Sequence, residues 1–169
     1  MWLCDYPHLK MIIPNVMFVI VMAWSNSLIQ GSTTACSYPF VTLGDNCYYF
    51  STATASWDDA YIECLQRGAY LANLETFDEY MILRSRLASL RNGQNYAIGG
   101  RNINREVNDG DWRWVKNGSL TKMSYFAFGP SQPTGSKASP ESCMWVYSEF
   151  KYEFIDTVCS NVARYICEK

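Results

Sequence analysis

Seven cysteines lie in this 169-residue chain, and six of them fall between Cys36 and Cys167. No other feature restricts the fold as much, because each bonded pair closes a loop in the unfolded chain as well as in the folded one. Whether the seventh, Cys4, belongs with the rest turns on the first thirty residues. Polar and charged residues up to Lys10 precede an apolar run from Met11 to Trp24, and the small residues Ser25, Ser27 and Gly31 follow. That order is the pattern of a cleaved secretory signal over residues 1–31, cut after Ser25, Ser27 or Gly31. An uncleaved anchor is the alternative, but the run is short against the ~20 apolar residues that a bilayer span takes and contains Pro14 and Asn15. Without the signal, six cysteines remain, and an even set in a secreted domain reads as three disulfides. Fifteen connectivities are open to six cysteines.

The same cut removes His8, the only histidine. A Ser-His-Asp or Cys-His catalytic group cannot then be built, and zinc loses its usual nitrogen ligand. With no nucleophile motif elsewhere, the chain is not expected to be an enzyme. Lys and Arg number 14 against 16 Asp and Glu, a formal charge of -2, and no run of like charges exceeds a pair, so the clustered basic face that nucleic acid requires is missing. At 49% hydrophobic and 15% aromatic, the chain can bury one core and form one domain.

Two helices are predicted early. In "SWDDAYIECLQRGA", Ser56 can cap with Asp59 three residues on, Trp57, Ala60, Tyr61, Cys64 and Leu65 form one apolar stripe, and Gly68 stops the helix. In "TFDEYMILRSRLASL", Thr76 and Glu79 take capping-box positions, Tyr80, Leu83, Leu87 and Leu90 face inward, and Asn92-Gly93 ends the run. The segments "CYYF", "AYLANL", "YAIGG", "DWRWV", "CMWVY", "EFIDTV" and "ARYIC" are rich in aromatic and β-branched residues and are predicted strands. Residues 101–140, full of Gly, Asn, Ser and Pro, imply long loops, and long ordered loops are usually functional.

From Cys36 to Lys169 the chain resembles a C-type lectin-like domain in its long form. "CSYPFVTLGDNC" is similar to the family's N-terminal hairpin, "SWDDAYIEC" with "GAYLANLETFDE" to its helices and the strand between them, and "YAIGG" to its Trp-Ile-Gly-Leu segment. "DWRWVKNGS" resembles the next hairpin, and "ESC", "FIDTVC" and "YICEK" complete the cysteine pattern. The resemblance implies an α+β fold, with two helices packed on short antiparallel sheets, a long loop region and three disulfides. It pairs Cys36 with Cys47, Cys64 with Cys167 and Cys143 with Cys159. The function it implies is a secreted, extracellular lectin binding glycans or glycoproteins. The alternative is a calcium-independent lectin-like domain that binds protein partners or builds an extracellular matrix.

In sugar-binding members a calcium ion sits in the long loop, held by the first and third residues of a Glu-Pro-Asn or Gln-Pro-Asp triplet, a glutamate before the cysteine, and the Asn-Asp of Trp-Asn-Asp. By position, Gln132, Pro133 and Thr134 match the triplet, Glu141 the glutamate, and Phe154, Ile155 and Asp156 the last motif. The resemblance therefore names Gln132, Thr134, Glu141 and Asp156 as the carbohydrate and metal set, with Gln132 leaning toward galactose. Calcium takes six to eight oxygens, and here Thr134 brings a neutral hydroxyl and Ile155 none, so weak calcium binding is expected. Glu149 and Glu153 are candidate substitutes, and Glu106, Asp109 and Asp111 lie where a second ion would sit, though acids in a Gly/Asn turn are usually turn chemistry. Trp112, Trp114 and Trp145 are expected in the core, and Tyr147, Phe150 and Tyr152 as exposed stacking rings. The sequon "NGS" marks Asn117 as a glycosylation site on a hairpin tip.

Overall fold

The computed structural model describes residues 35–106, 109–136 and 138–169, all within a compact unit that runs from Thr33 to Lys169. The expected signal segment, with Cys4 and His8, lies outside the described residues. Strand β1 (Val41–Leu43) and strand β2 (Asn46–Phe50) form the first hairpin. Helix α1 (Trp57–Gln66), strand β3 (Tyr70–Leu71) and helix α2 (Phe77–Leu90) follow. Strands β4 (Tyr96–Asn102), β5 (Trp112–Lys116) and β6 (Ser119–Lys122) come next, and β7 (Cys143–Tyr147), β8 (Glu153–Thr157) and β9 (Arg164–Glu168) complete the chain.

Both helices begin where their caps place them. The Ser56 hydroxyl accepts the Asp59 N–H at 3.2 Å, and Trp57, Ala60 and Cys64 are buried below it, while Leu65 is 38% exposed and drops off the predicted stripe. The Thr76 hydroxyl accepts the Glu79 N–H at 3.2 Å. Glu79 does not reach back to Thr76 as in a full capping box. Its carboxylate accepts the Glu75 N–H at 2.9 Å, the Tyr48 hydroxyl at 2.7 Å and the Asn46 amide at 2.9 Å, tying α2 to β2.

The sheet runs β1-β2-β9-β4-β5-β6, with β3 paired to β9 and β7 bridging β4 to β8. One pairing departs from the antiparallel expectation: β4 lies parallel to β9, with Tyr96 beside Arg164 and Ala97 beside Tyr165. This junction joins the sheet of β1, β2, β3 and β9 to the sheet that carries the long loop. Between Ile98 and Arg101 the β4–β7 register shifts, and the two residues in the gap are glycines for a steric reason. A Cβ on Gly99 would stand 2.6 Å from the Leu71 carbonyl oxygen, and one on Gly100 would stand 2.6 Å from the Met144 sulfur.

The three disulfides join Cys36 to Cys47, Cys64 to Cys167 and Cys143 to Cys159, as the resemblance implied. Trp112 and Trp114 are buried in the core with Tyr48, Leu83, Ile98, Met144 and Phe154. Trp145, half-buried, packs on a second cluster around Trp57, Cys64 and Cys167.

One buried carboxyl makes stability depend on pH. Glu168, 4% exposed, accepts the Tyr70 hydroxyl and the Asn73 N–H, both at 2.9 Å. Burial, with the Glu79 charge adding to it, raises its pKa from 4.5 to about 7 against the opposing pull of those two donors and Lys116. A carboxyl with a higher pKa folded than unfolded keeps its proton longer in the folded state. Its contribution is therefore fullest below pH ~4.5, shrinks as pH rises, and has gone above pH ~7, at about 1.4 kcal/mol per pKa unit. Denaturant unfolding between those limits should show wild type losing ~3 kcal/mol relative to Glu168→Gln. Parallel pH profiles would show that Glu168 is already ionised in the fold.

Candidate ligand-binding site

The long loop enters from the core through Tyr125–Phe128 and leaves through Cys143. The Phe154 N–H donates to the Ala127 carbonyl at 2.7 Å, and the Gly129 N–H donates to the Phe154 carbonyl at 2.9 Å, so the loop entrance is bonded to β8. The chain then turns at Ser131, whose φ is 62°, and passes through the cis Gln132–Pro133 bond. On the far side, Arg105 donates to the hydroxyl of buried Ser142, and the Asn102 N–H donates to the Ser142 carbonyl at 2.8 Å, which holds the residue after Glu141 in place.

Of the four residues picked out by sequence, three converge. Asp156, only 5% exposed, accepts the Thr134 N–H on Oδ1 at 2.7 Å and the Gly135 N–H on Oδ2 at 2.6 Å. The Thr134 hydroxyl donates to Glu141 Oε2 at 2.9 Å and stands 3.5 Å from Asp156 Oδ1. Gln132 takes no part in this cluster: its Oε1 is buried with no hydrogen-bond partner. Glu141 thus meets Thr134 and not the glutamine.

The remaining acids are placed elsewhere. Asp111 forms a two-pronged ion pair with Arg113 at 2.7 and 2.9 Å, which holds its carboxyl below the usual range. Glu153 pairs with Tyr147 in the β7–β8 ladder, three residues from Asp156, which puts it ~10 Å away along the strand on the opposite face. Glu149 lies on a short 3₁₀ turn, where its charge raises the Tyr147 hydroxyl. Among the described residues, no three acidic, histidine or cysteine side chains gather as a metal site.

Of the rings expected outside, Tyr152 is buried at 7% exposure: the chain takes left-handed conformations at Lys151 and Tyr152 and turns that ring into the core. Tyr147 and Phe150 are half-buried and meet edge to face at 5.3 Å. The ring missed in the sequence is Phe126. It is 47% exposed and stacks on Phe128 at 6.0 Å with planes 13° apart, beside the loop entrance. Its signal was the i, i+2 spacing of "FAF", hidden in a stretch read as irregular loop. Asn117 is exposed, in a two-residue turn with Gly118 in which both residues have positive φ, between the paired Lys116 and Ser119.

A family model described as Lectin C-type domain matches residues 53–169. The chain belongs to the C-type lectin domain family. A perlucin-like protein of Mytilus galloprovincialis is 32% identical over 124 residues, 72% of this chain and 75% of that protein. C-type lectin domain family 7 member A of Bos taurus is 28% identical over 137 residues, 81% of this chain but 51% of that protein, so the chain spans only about half of that relative. Among solved structures, the carbohydrate-recognition domain of the human scavenger receptor C-type lectin superposes with a TM-score of 0.67 at 25% identity, covering 80% of this chain and 98% of that one. The family is one of carbohydrate-recognition domains and not of enzymes.

C-type lectin domains generally bind calcium, and the donor set here can be tested against that ion. Calcium is held by six to eight oxygens with free lone pairs, charged ones for affinity. Both Asp156 oxygens already point at amide hydrogens, Thr134 offers a hydroxyl turned to Glu141, Gln132 Oε1 is enclosed, and Ile155 brings no side-chain oxygen. The residues present do not fit a calcium ion in this arrangement.

Proposed function

We propose that this chain is a secreted lectin that binds glycans on the face formed by the loop from Gly129 to Glu141 and the Phe126 ring. The observation that carries the reading is Phe126 itself: an aromatic ring half open to solvent, fixed in orientation by stacking on Phe128, beside a loop of exposed polar groups. Sugar rings present apolar C–H faces between hydroxyls, so a fixed ring next to hydrogen-bonding groups is the arrangement that takes them. Support comes from the family and from the solved carbohydrate-recognition domain that shares the fold. The galactose preference implied by Gln132 operates in the family through the calcium ion, so the class proposed is glycan, with galactose against mannose read on an array.

The test is retention on arrayed galactose-, mannose- and GlcNAc-terminated glycans. Phe126→Ala should weaken the best signal about tenfold, the equivalent of ~1.4 kcal/mol, with the thermal midpoint nearly unchanged because half of the ring is outside the core. Equal retention by the variant would move the binding face elsewhere. No retention on any glycan would favour the protein-binding reading, for which Phe126 is as well placed. Secretion and a glycan on Asn117 are proposed together. Material collected from the medium of a eukaryotic host should lose mass on treatment with an N-glycosidase, and Asn117→Gln should abolish that loss.

A further inference from the structure

We propose that Asp156 locks the long loop without a cation, by accepting two consecutive backbone N–H groups, so that this domain holds its binding face and its ligand in the presence of a chelator. The part that concerns ligand rests on the glycan reading above; the lock itself does not.

The geometry is specific. A carboxylate has two oxygens, and here each takes one amide, Thr134 on one and Gly135 on the other, at 2.7 and 2.6 Å. Charge-assisted hydrogen bonds of this length are about twice as strong as neutral ones, and at 5% exposure water does not compete for them. Two successive N–H groups converging on one anion act as the positive partner that a calcium ion would otherwise supply. Glu141 is served by the Thr134 hydroxyl in the same way.

The loop also packs closely against both acidic residues, with the Thr134 hydroxyl reaching both carboxylates. A Cβ on Gly135 would stand 2.7 Å from Asp156 Oδ2, 2.8 Å from the Glu141 Cβ and 2.8 Å from the Glu141 carbonyl oxygen. An ion bridging the two carboxylates would compete with the Thr134 hydroxyl, which stands 2.9 Å from Glu141 Oε2 and 3.5 Å from Asp156 Oδ1, and with the two amides that already occupy the Asp156 oxygens. This explains why Thr134 suffices where the family pattern has a third carboxylate or an amide. A hydroxyl can donate to Glu141, whereas an aspartate there would add a third negative charge to a site already supplied with donors.

The experiment compares the purified chain in ~10 mM calcium with the same chain in excess chelator, and wild type with Asp156→Asn. For wild type, the thermal midpoint is expected to agree within about 1 °C in the two buffers, and hydrogen exchange at the Thr134 and Gly135 amides should be slow and equal in both. A site with a Kd of ~10⁻⁴ M would instead raise the midpoint in calcium by about 5–10 °C, and that result would overturn the proposal. Asp156→Asn, which puts an NH2 against one of the amides, should speed exchange at both positions and lower the midpoint equally in either buffer. Unchanged exchange in that variant would also overturn the lock. Should the variant fail to fold, the wild-type comparison decides alone. Glycan retention in chelator is the last arm: loss on chelation overturns the ligand part, whereas a chain that binds no glycan in either buffer refutes the glycan reading and leaves the lock to the exchange data.

Discussion

Replacing Cys64 and Cys167 together by alanine is expected to lower the stability of the domain by about 4.7 kcal/mol, the largest loss of any disulfide removal in this chain. The bond spans 103 residues, and the entropy it takes from the unfolded chain grows with the logarithm of that span. Cys36–Cys47 spans 11 residues and Cys143–Cys159 spans 16, for which the same relation gives about 2.8 and 3.1 kcal/mol. Cys64 and Cys167 are also fully buried, one on the inner face of α1 and the other in β9, so the bond fastens the first helix to the strand that ends the domain. Against a total stability of about 5–15 kcal/mol, its loss should leave the chain marginal. Urea unfolding of the three double-alanine variants tests the order. If the Cys36/Cys47 variant proved as unstable as the Cys64/Cys167 variant, loop closure would not be what this bond contributes.

What the sequence made legible was local, and what it hid depended on distant contacts. Ser56 and Thr76 sit where the helices begin because a cap is settled within four residues. The carboxylate of Glu79 went elsewhere because Asn46 and Tyr48, over thirty residues away, offered it donors. Strand β6 was implied only as the far side of the Asn117 hairpin and not read from its own residues, since all four are exposed and an edge strand of that kind has no apolar alternation to read. Its pairing is set by the Asn117-Gly118 turn, the residue pair that favours a two-residue hairpin. The parallel contact of β4 with β9 left no mark in either segment. At the site, the residue types of Thr134, Glu141 and Asp156 were legible, but the partners of Asp156 are backbone amides, which every residue but proline carries and no sequence distinguishes. The glycine at 135 stands where the chain passes close by, and the reason for it shows only when a Cβ is built there.

Phe154→Ala is expected to cost about 3–5 kcal/mol and to loosen the loop before the rest of the domain. The ring has no exposure and meets three others edge to face, Tyr80 at 5.5 Å, Trp114 at 6.2 Å and Phe128 at 6.2 Å. Truncating it loses the transfer energy of a whole phenyl group and leaves a cavity that the three neighbouring rings cannot easily close. Its backbone makes the effect local as well as global, because the N–H and carbonyl of Phe154 are the bonds that hold Ala127 and Gly129 to β8. Asp156 is two residues further along the same strand, so a β8 that shifts toward the cavity draws the acceptor away from the amides of Thr134 and Gly135. Phe154→Leu, which keeps most of the volume, should cost ~1.5 kcal/mol or less and leave those amides protected. Hydrogen exchange under native conditions separates the two effects. In Phe154→Ala, amides from Ala127 to Gly135 should exchange faster than the drop in global stability requires, while those of β2 and β9 follow the global value. If both sets moved together, the ring would support the domain as a whole, and the loop would owe its order to the Asp156 contacts alone.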